Sequence, residues 1–311
     1  MRHEISSLNY HYNVALHAAC SCGYVEVAKS LIKDGATDFN GGLLEACRNG
    51  HIEIAKLMIE KGATNFGSCF LAAYQNGHIE IVKLLVKNTE LDIYGYLCKA
   101  CKDGNIGMAK IIIENNTIHL KDDLRVACKY GRVGIVKLMI AHGATEWNQG
   151  LFGACEGSHI ELVKLMIAHG ATDFDGGLRI ACGKGCIKIA KLMIEKGATD
   201  LNSGLRKTCQ IKTTNIAKLM IENGATDFNG ALLVACEFGC IEKVKLLIEK
   251  GATNFNDGLR EACYHEYIEI AKLLIEKGAT NLNEALYTAA LNSHTSIAKL
   301  LIEKGATHFE C

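Results

Sequence analysis

The side chains able to do chemistry in this sequence stand in periodic rows, and the spacing decides what chemistry is open to them. Cysteine occurs at Cys20, Cys47, Cys101, Cys128, Cys155, Cys182, Cys209, Cys236 and Cys263, every interval a multiple of 27. A row of thiols suits a disulfide framework or a chain of metal sites. Packed helices lie about 8–10 Å apart, however, so one slot repeated in adjacent units exceeds the ~7 Å Cα separation a disulfide tolerates, and metal ligands must converge more closely still. The row reads as a small, buried, reduced apolar residue, and neither a metal nor a cofactor is expected. Cys186 and Cys240 share a second slot, while Cys22, Cys69, Cys98 and Cys311 follow no pattern. Other chemistry is equally thin: the chain has no G-x-x-x-x-G-K-[ST] loop, H-E-x-x-H helix or G-x-S-x-G elbow. It does not read as an enzyme.

Two rows are cationic. Lysine recurs at 29, 56, 83, 110, 137, 164, 191, 218, 245, 272 and 299, commonly with a glutamate three residues before or four after, as in Glu53-Lys56-Glu60. Such helix pairs contribute a few tenths of a kcal/mol and leave little net field, so this row reads as a solvated face. Arg125, Arg179, Arg206 and Arg260 share another slot, and the arginine fork suits carboxylates or phosphates on a partner.

The elements that position these rows follow from the period. Gly-Ala-Thr recurs at residues 35, 62, 143, 170, 197, 224, 251, 278 and 305, and the register persists through Thr89 and Asn116, where the tripeptide is lost. Within a unit, Leu43, Ala46 and Cys47 form an i, i+3, i+4 stripe on a short first helix. Asn49-Gly50 makes a turn, and Ile52, Ile54, Ala55, Leu57, Met58 and Ile59 build a second, more apolar helix ending near Lys61. Gly62 then provides a left-handed cap. A large apolar residue follows (Phe39, Ile93, Leu120, Trp147, Phe174, Leu201, Phe228, Phe255, Leu282, Phe309) and is expected to plug the connection into the stack. Each unit leaves an apolar face bare until its neighbour covers it, the mark of a solenoid. The expectation is an all-α solenoid of about eleven helix–turn–helix repeats over 8–311, one domain, with 1–7 as an N-terminal extension.

Composition fits a folded chain, with 49% hydrophobic and 22% charged residues and 34 basic against 34 acidic. Balanced charge argues against nucleic acid, which normally selects a basic domain. Proline is absent, excluding proline-rich linkers. No apolar run approaches the ~18 residues of a membrane span, and the start has no signal-peptide core. A cytoplasmic protein without membrane insertion is expected.

The segment Ala46-Cys47-Arg48-Asn49-Gly50-His51-Ile52-Glu53-Ile54-Ala55-Lys56-Leu57-Met58-Ile59-Glu60-Lys61-Gly62-Ala63 resembles the helix–turn–helix core of an ankyrin repeat, and Leu16-His17-Ala18-Ala19 resembles the L-H-x-A part of the ankyrin signature. Ankyrin units run to about 33 residues; the deficit falls before the first helix, so the β-hairpin fingers are missing. Arrays of such shortened repeats resemble those encoded by mimivirus-like giant DNA viruses. The resemblance implies a non-enzymatic protein–protein interaction scaffold, with the first-helix face lining its concave side and a host or viral factor as partner. It also implies that His51, His78, His159 and His294 bond nearby backbone in a capping role.

The drift between units concentrates on that face. Its second slot holds His17, Leu44, Leu71, Cys98, Arg125, Phe152, Arg179, Arg206, Leu233, Arg260 and Tyr287; four residues on come Ser21, Arg48, Gln75, Lys102, Lys129, Glu156, Gly183, Gln210, Glu237, Tyr264 and Leu291. The stripe reads equally as a recognition surface or a solvated face. Its candidate partner-binding residues are Arg125, Phe152, Arg179, Arg206, Arg260, Tyr264 and Tyr287, since aromatic and arginine anchors dominate interfaces. An adaptor for degradation machinery and an anionic nucleic-acid or phospholipid binder are the alternatives. Irregular units near 89–121, 210–215 and 265–267 invite a specialised role, with Thr213 or Thr214 expected to cap a second helix and asparagine at 88, 115 and 116 to replace the lost glycine. The apolar last pair, with Ile297, Ala298, Leu300, Leu301 and Ile302, suggests end-to-end self-association.

Overall fold

The structure, a computed structural model, describes residues 2–88, 94–115 and 121–307. Among these the chain forms 22 α-helices and no strand, so the all-α class and the absence of β-hairpin fingers both hold. Two compact units share them, residues 1–145 and 146–311. The first carries α1 (Arg2–Cys22), α2 (Val25–Lys33), α3 (Phe39–Asn49), α4 (Ile52–Glu60), α5 (Phe66–Gln75), α6 (Ile79–Asn88), α7 (Tyr94–Asp103), α8 (Ile106–Asn115), α9 (Lys121–Lys129) and α10 (Val133–Ala141). The second carries α11 (Trp147–Glu156), α12 (Ile160–Ala168), α13 (Phe174–Lys184), α14 (Ile187–Glu195), α15 (Leu201–Thr208), α16 (Asn215–Glu222), α17 (Phe228–Glu237), α18 (Ile241–Glu249), α19 (Phe255–Tyr264), α20 (Ile268–Glu276), α21 (Leu282–Leu291) and α22 (Thr295–Glu303). Helix α1 takes in residues 2–7, so that segment is helical.

In both units the odd-numbered first helices pack on one another and on their own second helices. Leu43, Ala46 and Cys47 of α3 and Ile54, Ala55 and Met58 of α4 are fully buried, as the stripes require. Close approach depends on a small slot in the first helix. A Cβ placed on Gly177 would stand 2.7 Å from Met193 Sδ, and one on Gly204 would stand 2.9 Å from Met220 Sδ. The second helices end as expected: Gly62 takes φ +99°, its N–H donates to Ile59 O at 3.0 Å and Ala63 N–H donates to Met58 O at 3.0 Å. This is a Schellman closure, and it satisfies carbonyls the helix cannot. The large apolar residue opens each described first helix from α3 onward, except α7 and α9, and is half-buried; Trp147 stacks on His169 at 4.9 Å.

A second row of inter-repeat bonds runs through the connections. Asn40 Oδ1 accepts from Thr64 N–H at 2.7 Å and Asn65 N–H at 3.0 Å. Asn148 holds Thr172 and Asp173 in the same way, and Asn202 holds Thr226 and Asp227. Where the acceptor meets an aspartate, that aspartate caps its own helix: Asp227 Oδ1 accepts from Gly230 N–H at 2.9 Å. The same slot holds Gly67, Tyr94 and Lys121 in the three intervening repeats, next to the two junctions that lack Gly-Ala-Thr. Those junctions, 89–93 and 116–120, lie outside the described residues, and Asn116 with them. Asn88 and Asn115, expected to take the lost glycine's left-handed conformation, instead end α6 and α8 as helical residues, which corrects that expectation. Replacing Asn202 with alanine strands two backbone N–H groups. It is expected to lower the stability of the second unit by about 1–2 kcal/mol, read as a shift in its urea unfolding midpoint.

The remaining irregular turns are ordered. Ser158, Glu266 and Ser293 take φ of 61°, 59° and 60° where other repeats place glycine. At 210–215, Thr214 occupies the N-cap of α16 but makes no side-chain cap bond, which corrects the capping expected of it. That turn is held from the next repeat instead. Lys243 fills a slot that is Ile216 and Ile270 in the flanking repeats, is buried, and donates to Ile211 O. Cys240 Sγ donates to Cys209 O at 3.1 Å.

Candidate protein-binding face

The cysteine row lies where its slot predicts, fully buried in the stack. Burial pushes the thiols of Cys20, Cys128, Cys155, Cys182, Cys236 and Cys263 up to about 12 and that of Cys209 up to about 11. Thiols so far from ionisation are poor nucleophiles and poor metal ligands. No group of three or more His, Cys, Asp or Glu among the described residues is placed to hold a metal. One C-x-x-C spacing, Cys98-Lys99-Ala100-Cys101, escapes the row reading; it lies on α7 with Cys101 buried and Cys98 half-buried, and no second pair joins it.

The histidine row serves the backbone across the repeat boundary. His51 Nε2 lies 3.0 Å from Ser21 O, His78 Nε2 lies 3.0 Å from Arg48 O, and His294 Nδ1 lies 3.0 Å from Cys263 O. Each ring closes an orphan carbonyl in the last turn of the preceding repeat's first helix, and His51 and His294 make no cap bond to the helix they precede. The capping role is therefore directed backwards. Arg132 does the same, with Nε donating to Cys101 O at 3.2 Å and Nη2 to Lys102 O at 2.5 Å.

The lysine row is solvated, and many of its members are paired as the spacing implies. Lys56 meets Glu53 at 2.8 Å, Lys164 meets Glu161 at 3.0 Å and Lys272 meets Glu269 at 2.8 Å. These exposed pairs contribute little.

On the first-helix face the arginines separate by environment. Arg206 Nη1 pairs with the Asp227 carboxylate at the N-cap of α17, and its Nη2 donates to Ser203 Oγ at 3.0 Å. His17 meets Asp38 in the same arrangement at 2.9 Å. Arg260 faces Asp257 at 3.4 Å, Glu284 at 3.5 Å and Glu261 at 3.8 Å. Arg179 is exposed and Arg125 is half-buried. Arg125 lies in the first unit and the other three in the second. Much of the cationic character of the row is thus engaged within the stack.

The aromatic candidates behave differently. Phe152 is half-buried and leans over the next repeat, since a Cβ on Gly176 would meet its ring at 2.6 Å. Tyr264 is 51% exposed, Tyr287 41% and Leu291 67%. Arg260 and Tyr264 lie four apart on α19, Tyr287 and Leu291 lie four apart on α21, and these helices pack together, so the four side chains share one stretch of surface. The His265-Glu266-Tyr267 turn borders it, with His265 edge-on to Tyr264 at 4.9 Å. Leu291 joins the patch although it is not among the anchors expected from sequence: its slot is legible there, but its exposure depends on what stands beside it. In the last helix Ile302 is exposed while Ile297, Leu300 and Leu301 are buried, which narrows the open terminal row.

Among the described residues, the stacked helix pairs of each unit, without strands, have the ankyrin-type solenoid architecture. The family model for ankyrin repeats matches this chain in three copies, at residues 3–67, 43–123 and 69–150. No curated protein matches it. Ankyrin repeats recognised over 3–150 thus stand at the head of a series whose helix pairs recur in the same order through residue 303. No helix among the described residues is long and apolar enough to cross a membrane.

Proposed function

We propose that the chain is a non-enzymatic scaffold that holds a partner protein on the first-helix face of its second unit, at Arg260, Tyr264, Tyr287 and Leu291. Ankyrin repeats generally mediate protein–protein interaction. The observation that supports this location is the exposure of two tyrosines and a leucine on adjoining helices, because exposed aromatic and apolar groups beside an arginine have the composition of an interface hot spot. The resemblance to giant-virus arrays favours a host or viral factor in the cytoplasm of an infected cell, and a role as an adaptor for degradation machinery would use the same surface. An anion-binding role has less support, since Arg206 and Arg260 already face carboxylates.

Salt separates the two readings. A protein captured by the full chain is expected to stay bound when ionic strength is raised from 0.1 to 0.5 M, and to be captured equally after Arg179→Glu. A loss of affinity of tenfold or more under either change would favour a phosphate or other polyanionic ligand.

A further inference from the structure

We propose that Cys47 and Cys69 are a built site for an intramolecular disulfide, formed with a peroxide as oxidant and joining α3 to α5. Row cysteines of adjacent repeats occupy one slot and stand too far apart to link. Cys69 belongs to a different slot, the small first-helix position held by Gly42, Gly177, Gly204 and Gly258 elsewhere. That position faces the row cysteine 22 residues earlier. A Cβ built on Gly42 lies 3.1 Å from Cys20 Sγ, on Gly177 3.6 Å from Cys155 Sγ, on Gly204 3.3 Å from Cys182 Sγ and on Gly258 3.2 Å from Cys236 Sγ. In a disulfide the Cβ of one residue stands about 3 Å from the sulfur of the other. The stacking of first helices therefore sets nearly the required spacing in every such pair, and only the third repeat places a sulfur on that Cβ.

Both thiols are free and buried. The Cys47 thiol lowers the Cys69 pKa against the opposing effect of burial; the same interaction, with burial, raises that of Cys47. Cys69 is accordingly the first nucleophile. Its sulfur attacks one peroxide oxygen; the S–O bond forms, the O–O bond breaks, and the departing hydroxide leaves as water with the thiol proton. The Cys47 sulfur then attacks Cys69 sulfur; the S–S bond forms, the S–O bond breaks, and the hydroxyl leaves as a second water with the Cys47 proton. Two thiols lose two electrons and the peroxide gains them. The product closes the chain segment 47–69, which contains α4, and clamps two neighbouring repeats of the first unit.

The test treats the full chain with hydrogen peroxide, blocks remaining thiols with N-ethylmaleimide in denaturant, and maps linked peptides by mass spectrometry. The expected product is a Cys47–Cys69 link that dithiothreitol removes and that raises the thermal midpoint of the oxidised protein. Cys69→Ala places at this slot the residue found at Ala231 and Ala285; it should keep the helical spectrum and show neither the link nor the rise. Oxidation confined to exposed Cys22 or to the Cys98–Cys101 pair would overturn the proposal, as would a Cys47–Cys69 link that forms only after denaturation.

Discussion

Between pH 9 and 12 the second unit is expected to unfold, and replacing Cys155, Cys209 and Cys236 with alanine is expected to move that alkaline midpoint upward by several tenths of a pH unit or more. The row thiols are fully buried, and burial lifts those of Cys155, Cys182, Cys236 and Cys263 to about 12. An unfolded cysteine ionises near 8.5. Because the folded pKa is raised, each thiol's contribution is fully present below the unfolded value and is lost as pH rises through the folded one, where only the unfolded chain sheds its proton. Each thiol then removes on the order of 1 kcal/mol per pH unit within that window. Cys155, Cys182, Cys209, Cys236 and Cys263 all lie in this unit, so their sum rivals the ~5–15 kcal/mol of a whole domain. Circular dichroism at 222 nm across a pH series checks it. An unchanged midpoint in the alanine variant would mean that the thiols do not govern the transition.

The largest functional effect is expected from Tyr264→Ala combined with Leu291→Ala. Buried anchors at an interface typically contribute about 2 kcal/mol or more each, so the double variant should lose roughly 100-fold or more in affinity for a captured partner while keeping its helical spectrum, since both side chains stand outside the core. Arg206→Ala should show the converse. It breaks the contact with Asp227 and Ser203, which weakens the α15–α17 junction, and leaves binding within a few-fold. Calorimetric titration of the two variants against the same partner separates these effects. Equal affinity for the Tyr264/Leu291 variant and the native chain would remove the patch from the interface.

Much of this fold was legible in the sequence because each repeat writes its own packing. The i, i+3, i+4 stripe of Leu43, Ala46 and Cys47, and the glycine that ends each second helix, are local signals that a period of 27 then multiplies. What escaped was set between repeats. The Asn40 and Asn202 bonds join residues 24 and 25 positions apart, a separation no helical pattern displays, although the asparagine recurs with the same period as the thiols. Lys243 reads as a break in an isoleucine slot until the Ile211 carbonyl beneath it appears. On the candidate face, the exposure of Tyr264 and Tyr287 follows from their slots, but the engagement of Arg206 by an N-cap aspartate of the next repeat required three-dimensional distances. Cys69 looked patternless because its partner lies in a different row.

Hydrogen exchange on the full chain, alone and saturated with a captured partner protein, locates the interface. Slowed exchange is expected to concentrate in α19, α21 and the 265–267 turn, with the second helices of the same repeats little changed. Protection confined to α18, α20 and α22, or to the first unit, would contradict that location.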